Sequence, residues 1–194
     1  YAKEMSQDQV CHVLLGLTLV KQLIPSTLVV NGMNLQAAAI QRGGDIVDWT
    51  HQHGWIIYDP VVNAEVVRGP DARAFAKGFN AACVFLTDGA RNFDSSISGF
   101  WASIWNTLNS PSNPAYDNYN NRHMAMVLAA EANGWGNGTL NSLMSLADAY
   151  DWYAYPMLYA VLYPSVAQSQ GTWLGHQATI NSTVQSQLNA APVS

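Results

Sequence analysis

The chain alternates between helical segments that are apolar almost all round and helical segments that keep one polar face. The first segment is predicted to begin at Ser6, because SQDQ places a serine cap three residues before a glutamine, and to end before Pro25. Its apolar positions surround most of the helix, so we expect it to be buried on most sides. The second segment, Asn34 to His53, keeps one wet face; its apolar stripe consists of Leu35, Ala39, Ile46 and Trp49.

The same alternation continues along the chain. A simple bundle would give every helix one stripe of similar width, whereas an inner layer contacted on both sides and an outer layer wet on one side would give two kinds of helix. We therefore predict a mainly α fold, with about eight helices in a double layer of helical hairpins that forms one domain over residues 1–194. The further predicted helices are Asp71 to Thr87, a short helix within residues 95–109, Asn118 to Ala132, Thr139 to Ala149, Tyr153 to Tyr163 and Thr172 to Leu188.

One small β-hairpin is predicted near residues 55–68. Trp55 to Tyr58 and Glu65 to Arg68 are short runs of residues that favour strands, and Pro60 to Asn63 between them has the composition of a turn. No other strand pair is predicted.

Charge composition argues against two classes of partner. Charged residues make up 11% of the chain, and its 8 basic side chains do not cluster. Phosphate binding needs a concentrated basic surface, so no nucleic-acid partner is predicted. The longest apolar run, Val10 to Val20, is about half the length that spans a bilayer, so no membrane insertion is predicted. Such low charge is unlike a typical cytosolic enzyme; we expect a secreted or cell-surface location, where sequons at Asn137 and Asn181 would allow glycosylation.

A short phrase occurs twice, as AYDNY at residues 115–119 and as AYDWY at residues 149–153. If successive helices run antiparallel, the odd-numbered helices are parallel and their N-termini lie at one end of the fold. An aspartate is then expected near that end of each inner helix: Asp8, Asp71, Asp117 and Asp151. These acids have two interpretations, either as ordinary first-turn residues that cap free N–H groups and oppose the helix dipole, or as carboxylates gathered at one opening.

Aromatic side chains with polar tips accompany the repeated aspartates. They are Tyr116, Tyr119, Trp152, Tyr153 and Tyr155, and His123 follows within two helical turns of Asp117. The apolar faces of a sugar ring stack on aromatic rings, and sugar hydroxyls bond to carboxylates. The second interpretation therefore predicts carbohydrate as the partner, with Asp8, Asp71 and His123 among the substrate-binding residues.

A family resemblance follows from three features. A buried helix opens with S-x-D-Q and contains a G-L pair, a hairpin carries DP and RG, and a later aromatic segment ends in Pro-Met-Leu. Together they resemble the α/α-toroid, or six-hairpin glycosidase-like, superfamily. The resemblance implies inner and outer helix rings with a sugar-binding mouth, and many members are glycoside hydrolases or polysaccharide lyases. Asp8, Asp71, Asp117 and Asp151 resemble residues at the rim of that mouth.

The chain departs from this superfamily in its helix count, since about eight helices make an incomplete ring. The ring is either reduced, or part of it is absent or supplied by a partner. If the domain is catalytic, Asp117 and Asp151 are the expected acid/base pair, because glycoside hydrolysis uses two carboxyl groups about 5–9.5 Å apart. Their matching sequence contexts place them on neighbouring inner helices.

Other kinds of site find little support. His51 and His53 would diverge on a helix and no HExxH occurs, so no metal site is predicted. Neither a phosphate-binding glycine loop nor a Gly-x-Ser-x-Gly elbow occurs, and no cofactor is predicted. Cys11 and Cys83 lie in apolar helical stretches, where buried thiols are the commoner interpretation and a bridge is the alternative.

Two non-catalytic interpretations stay open. The 34-residue offset between Asp117 and Asp151 equals a tetratricopeptide period, which would suit a helical-repeat protein-binding domain, although the other helix starts are unevenly spaced. Low charge with abundant Trp and Tyr would also suit a secreted structural or assembly protein that associates with itself.

Overall fold

A computed structural model describes residues 7–59, 64–65, 73, 75–108, 144, 153–162, 164, 167 and 171–190. The chain divides into two compact units, Tyr1–Gly134 (unit 1) and Trp135–Ser194 (unit 2). The described residues are mainly helical, which confirms the predicted fold class at this level. A single domain over residues 1–194 stays a prediction.

The described elements of unit 1 are α1 (Gln7–Leu23), β1 (Val29–Val30), β2 (Met33–Asn34), α2 (Leu35–Gln52), β3 (Tyr58–Asp59), β4 (Ala64–Glu65), α3 (Ala76–Leu86), a 3-10 turn (Asp94–Ser96) and α4 (Gly99–Leu108). Those of unit 2 are α5 (Ala154–Leu162) and α6 (Gly171–Ala190). In unit 1, α1, α2 and α3 pack against one another, and α4 packs against α3.

Helix α1 is buried along one face. Its buried residues include Val10 and Leu14, whose spacing of four residues places them on the same side of the helix, and Thr18 continues that line. Val13 is 43% exposed, so the expectation that α1 is buried on most sides is wrong. The hydroxyl of Thr18 donates to the Leu15 carbonyl at 2.8 Å, which satisfies this buried polar group within the helix.

A hairpin that was not predicted lies between α1 and α2. Strands β1 and β2 pair antiparallel around Asn31 and Gly32, whose φ angles are 50° and 76°. Asn-Gly is the residue pair that best tolerates two consecutive positive φ angles, which a tight two-residue hairpin turn requires. The signal was therefore present in the sequence.

Helix α2 has nearly the predicted bounds, because its start signal is local. The Asn34 side chain accepts a hydrogen bond from the Ala37 amide at 2.9 Å and donates to the Ser26 carbonyl at 2.6 Å. It therefore caps α2 and ties the cap to the preceding loop.

The buried stripe of α2 differs from the predicted one. It consists of Ala39, Gly43, Gly44, Val47 and Thr50, while Trp49 is 40% exposed. A Cβ atom built on Gly43 would overlap the Leu86 side chain, and one on Gly44 would lie 2.5 Å from the Arg91 guanidinium. The glycine pair allows α3 and the loop after it to approach α2 closely, and this contact determines which face of α2 is buried.

The predicted hairpin near residues 55–68 is present as β3 and β4, with Tyr58 opposite Glu65 and Asp59 opposite Ala64. Trp55 does not belong to a strand as predicted. It follows Gly54 in a turn where both residues have φ 67°, an uncommon conformation for a large side chain. This turn directs Trp55 into the core, where it is 4% exposed.

Helix α3 begins at Ala76, later than predicted, and its N-cap residue Phe75 makes no side-chain capping bond. Asp71 itself lies outside the described residues. The predicted helix Asn118 to Ala132 lies outside the described residues, and of Thr139 to Ala149 only Met144 is described, as helical. Helices α4, α5 and α6 confirm the remaining predictions, with ends that differ by a few residues.

Candidate functional site

Most of the predicted site residues lie outside the described part of the chain. These are the acid/base pair Asp117 and Asp151, together with Asp71, Tyr116, Tyr119, His123 and Trp152. Asp8 lies in α1 and Tyr155 in α5, but their side chains are outside the described set. Tyr153 is 2% exposed, so its ring does not offer a face to solvent. The site formed by acids and aromatics stays a prediction.

Each of the aspartates with a described side chain lies in an ion pair. Lys21 Nζ lies 2.6 Å from Asp88 Oδ1, and Lys77 pairs with Asp94. Arg91 reaches Asp48 Oδ2 at 2.9 Å and Asp45 Oδ1 at 3.4 Å. A hydrogen bond from Gln41, followed by the bond and charge of Arg91, lowers the pKa of Asp45. A glycosidase acid needs a raised pKa, so Asp45 is unsuited to that role.

The cysteines are buried and unbridged. Cys11 is 1% exposed and Cys83 is fully buried, and both are free thiols, which confirms the commoner sequence interpretation. Burial raises the pKa of Cys83 to about 11, with the charge of Asp48 as a further cause. A thiol with so high a pKa carries little thiolate at neutral pH and is a poor nucleophile.

Histidine and aromatic rings cluster around the C-terminus of α2. His51 stacks on Phe93 with ring centroids 4.4 Å apart, whereas His53 stacks on Trp49 at 4.1 Å. Trp55 lies near both His51 and Phe93 and donates from Nε1 to Ser96 Oγ at 3.1 Å. The two histidines therefore diverge, as predicted. Within the described residues, no group of three or more His, Cys, Asp or Glu side chains could hold a metal ion.

A groove in unit 2 is lined by residues of α5 and α6 together with Pro164 and Ala167. We call it the Trp173 groove; it has a volume of about 560 Å³ and is lined by Ala160, Pro164, Ala167, Trp173, Leu174 and Gln177. This volume falls within the range of about 300–1,000 Å³ that is usual for ligand pockets. Ala167 is fully buried at the groove, while Leu174 is 56% exposed at its edge.

The polar and aromatic parts of this groove come from one helix. Trp173 and Gln177 are four residues apart on α6, so they lie on the same face, one turn apart. Trp173 is half-buried and Gln177 is exposed. The indole supplies an apolar surface, and the amide supplies both a hydrogen-bond donor and an acceptor. Trp173 was not among the predicted site residues, because periodicity does not distinguish a half-exposed aromatic ring from a core ring.

A second exposed feature is apolar and lies in unit 1. The hairpin surface consists of Leu23, Leu28, Val29, Val30 and Met33, each between 40% and 56% exposed. Residues 22–34 contain no charged side chain. These exposed apolar side chains occupy both faces of the hairpin, since successive strand residues such as Val29 and Val30 project to opposite sides.

None of the described helices is both long enough and apolar enough to cross a membrane. The chain matches no protein-family model, no curated protein and no solved structure.

Proposed function

We propose that this protein binds carbohydrate, in an α/α-toroid-like double layer of helices, and that the Trp173 groove is one surface where a sugar ring binds. The observation that carries the proposal is the position of Trp173 one helical turn from Gln177 at an open groove. An indole face covers the apolar C–H face of a pyranose, while an amide can both donate to and accept from neighbouring hydroxyls.

Cleavage of a sugar is a separate proposal, independent of the Trp173 groove, and its candidate acid/base pair is Asp117 and Asp151. Asp45, Asp48, Asp88 and Asp94 all lie in ion pairs, so the proposal does not draw on them; it rests on the repeated AYD phrase of the sequence. Replacing each of these two aspartates by asparagine separates a catalytic role from a helix-capping role. If Asp117→Asn and Asp151→Asn abolish glycan turnover while the melting temperature is unchanged, the acids are catalytic; if they lower stability and no turnover is found in the unaltered protein, they are helix caps.

Binding is tested by titrating the full chain with a panel of oligosaccharides, using calorimetry and tryptophan fluorescence. Gln177→Ala should weaken binding by roughly tenfold, which corresponds to the loss of one or two net hydrogen bonds. Gln185→Ala is the matched control, because Gln185 is an exposed glutamine of the same helix outside the groove. Equal losses in the two variants, or no binding by the unaltered chain, would refute the groove as a sugar site.

A second candidate function is that of a non-catalytic assembly or protein-binding domain. The hairpin surface favours it, because five apolar side chains are exposed there around an uncharged turn. Sedimentation velocity over a range of concentrations tests whether the chain associates with itself. Val29→Thr with Met33→Ser should then abolish association, whereas Val161→Thr, at a residue that is 70% exposed in unit 2, should not.

A further inference from the structure

We infer that the Trp173 groove recognises neutral sugar rings and discriminates against uronic acids. This inference rests on the proposed carbohydrate function and adds the class of sugar. It depends on the charges that unit 2 carries and on the chemistry of the groove lining.

Among the described lining residues, no group could neutralise an anion. These six residues include no Lys, Arg or His, and Gln177 is the one among them with a side-chain amide. A carboxylate that enters such a groove loses part of its hydration and gains at most a neutral hydrogen bond in exchange. The hydroxyl groups of a neutral ring lose much less hydration and find an adequate partner in the same amide.

The rest of unit 2 strengthens the same preference. Residues 135–194 contain no Lys or Arg, and their charged side chains are Asp148 and Asp151. Carboxylate recognition in proteins normally uses the bidentate guanidinium of Arg or the ammonium of Lys. Unit 2 therefore supplies no Lys or Arg side chain that could pair with the carboxylate of a uronate.

Helix α6 shows the same neutrality along its whole length. Its 20 residues include several Asn, Gln, Ser and Thr side chains, and His176 is the one residue with a basic side chain. His176 is half-buried and has a polar or ring partner of its own.

The inference also bears on the kind of cleavage to expect. Elimination from a uronic acid requires the sugar carboxylate to be neutralised so that its neighbouring proton can be removed. Hydrolysis of a neutral glycoside requires only an acid and a base or nucleophile on the two sides of the bond. A ring recognised by this groove is therefore expected to be a substrate for hydrolysis rather than for elimination, with water as the second reactant.

The test compares neutral oligosaccharides of glucose, xylose and mannose with oligouronates of the same length, all against the full chain. We expect the best neutral ligand to bind at least about tenfold more tightly than any uronate, since the uronate lacks a charged partner. Oligouronates that bind as tightly as the best neutral sugar would overturn this inference and leave the carbohydrate function standing. If no sugar of either class binds, the carbohydrate function fails and this inference fails with it.

A charge introduced into the groove provides a second, independent readout. Gln177→Lys should strengthen uronate binding by about tenfold relative to the unaltered chain, and this gain should fall as salt is raised. Gln185→Lys adds the same charge to the same helix outside the groove and should leave uronate binding unchanged. If the two lysine variants behave alike, the groove does not contact the sugar carboxylate and the inference is wrong.

Discussion

Lys21 of α1 caps the C-terminus of α3 with its ammonium group. Its Nζ atom lies 2.6 Å from Asp88 Oδ1. The same Nζ donates to the Phe85 carbonyl at 2.6 Å and to the Leu86 carbonyl at 2.9 Å. The last carbonyl groups of a helix have no partner within the helix and carry partial negative charge. One lysine therefore supplies a tertiary cap and links α1 to the end of α3.

Replacing Lys21 should destabilise unit 1 more than replacing Asp88. The Lys21 side chain is 15% exposed, whereas that of Asp88 is 85% exposed, so the ion pair itself contributes little. We expect Lys21→Met to lower the free energy of unfolding by about 1–2 kcal/mol, because two helix carbonyls lose their donor. Asp88→Asn should cost well under half of that, since Asn also tolerates the positive φ of 51° at this position. Urea denaturation measures both; equal losses would show that the ion pair dominates.

Two glycines should respond in opposite directions to alanine. Gly43 lies against Leu86, which is fully buried and cannot move aside without displacing its neighbours. We expect Gly43→Ala to destabilise the protein by about 1–3 kcal/mol through overpacking. Gly16 is exposed in α1 and a Cβ there would meet nothing within 4 Å, so Gly16→Ala should stabilise by up to about 1 kcal/mol. Thermal unfolding of the two variants distinguishes them by sign, and a stabilising Gly43→Ala would contradict the close α2–α3 contact.

Asp45 should make stability depend on acid pH. Its pKa in the folded protein is lowered from 3.8, so the folded state holds the proton less strongly than the unfolded state does. Its contribution is therefore complete above pH 3.8 and is lost as the pH falls through the lower folded pKa. Denaturation midpoints measured from neutral pH downward should fall less steeply for Asp45→Asn than for the unaltered protein. Parallel curves would mean that Gln41 and Arg91 do not favour the ionised form.

The cysteines should resist thiol reagents until the protein unfolds. Cys83 is fully buried and its pKa is raised to about 11, and Cys11 is also buried. At about pH 8 the native protein should therefore release almost no thiophenolate from Ellman's reagent, while the protein in denaturant should release close to two equivalents. Rapid reaction of one thiol in the native state would show that the surrounding helices open readily.

The starts and ends of several elements could be predicted because their causes are local. Asn34 caps α2 through its own side chain, and Asn31-Gly32 forms a turn because these residues tolerate positive φ. The second of these signals is independent of hydrophobic periodicity, so periodicity alone does not predict the turn. The predicted start of α3 was wrong. Aspartate is a common capping residue, which favoured a start at Asp71, but the helix begins at Ala76 without a side-chain cap.

The candidate site residues were also only partly predictable from the sequence. Sequence alone drew attention to the AYDNY and AYDWY aspartates, because a repeated phrase is visible without coordinates, and their predicted roles stay predictions. The Trp173 groove was not anticipated, since it depends on Pro164 and Ala167 lying beside α6. The sequence alone shows that residues 135–194 contain no Lys or Arg. Only the structure shows a groove in this part of the chain, where the lack of cations would affect which ligand binds.

By itself the sequence determined that this chain is mainly helical and where α2 begins and ends, because capping and turn formation act between residues a few positions apart. Only the tertiary structure decided which face of each helix is buried. Gly43 and Leu86 are far apart in sequence, and their contact, rather than the apolar stripe of Leu35, Ile46 and Trp49, sets the orientation of α2. A helix turns toward the neighbour that it can approach most closely, and that neighbour is not encoded within the helix.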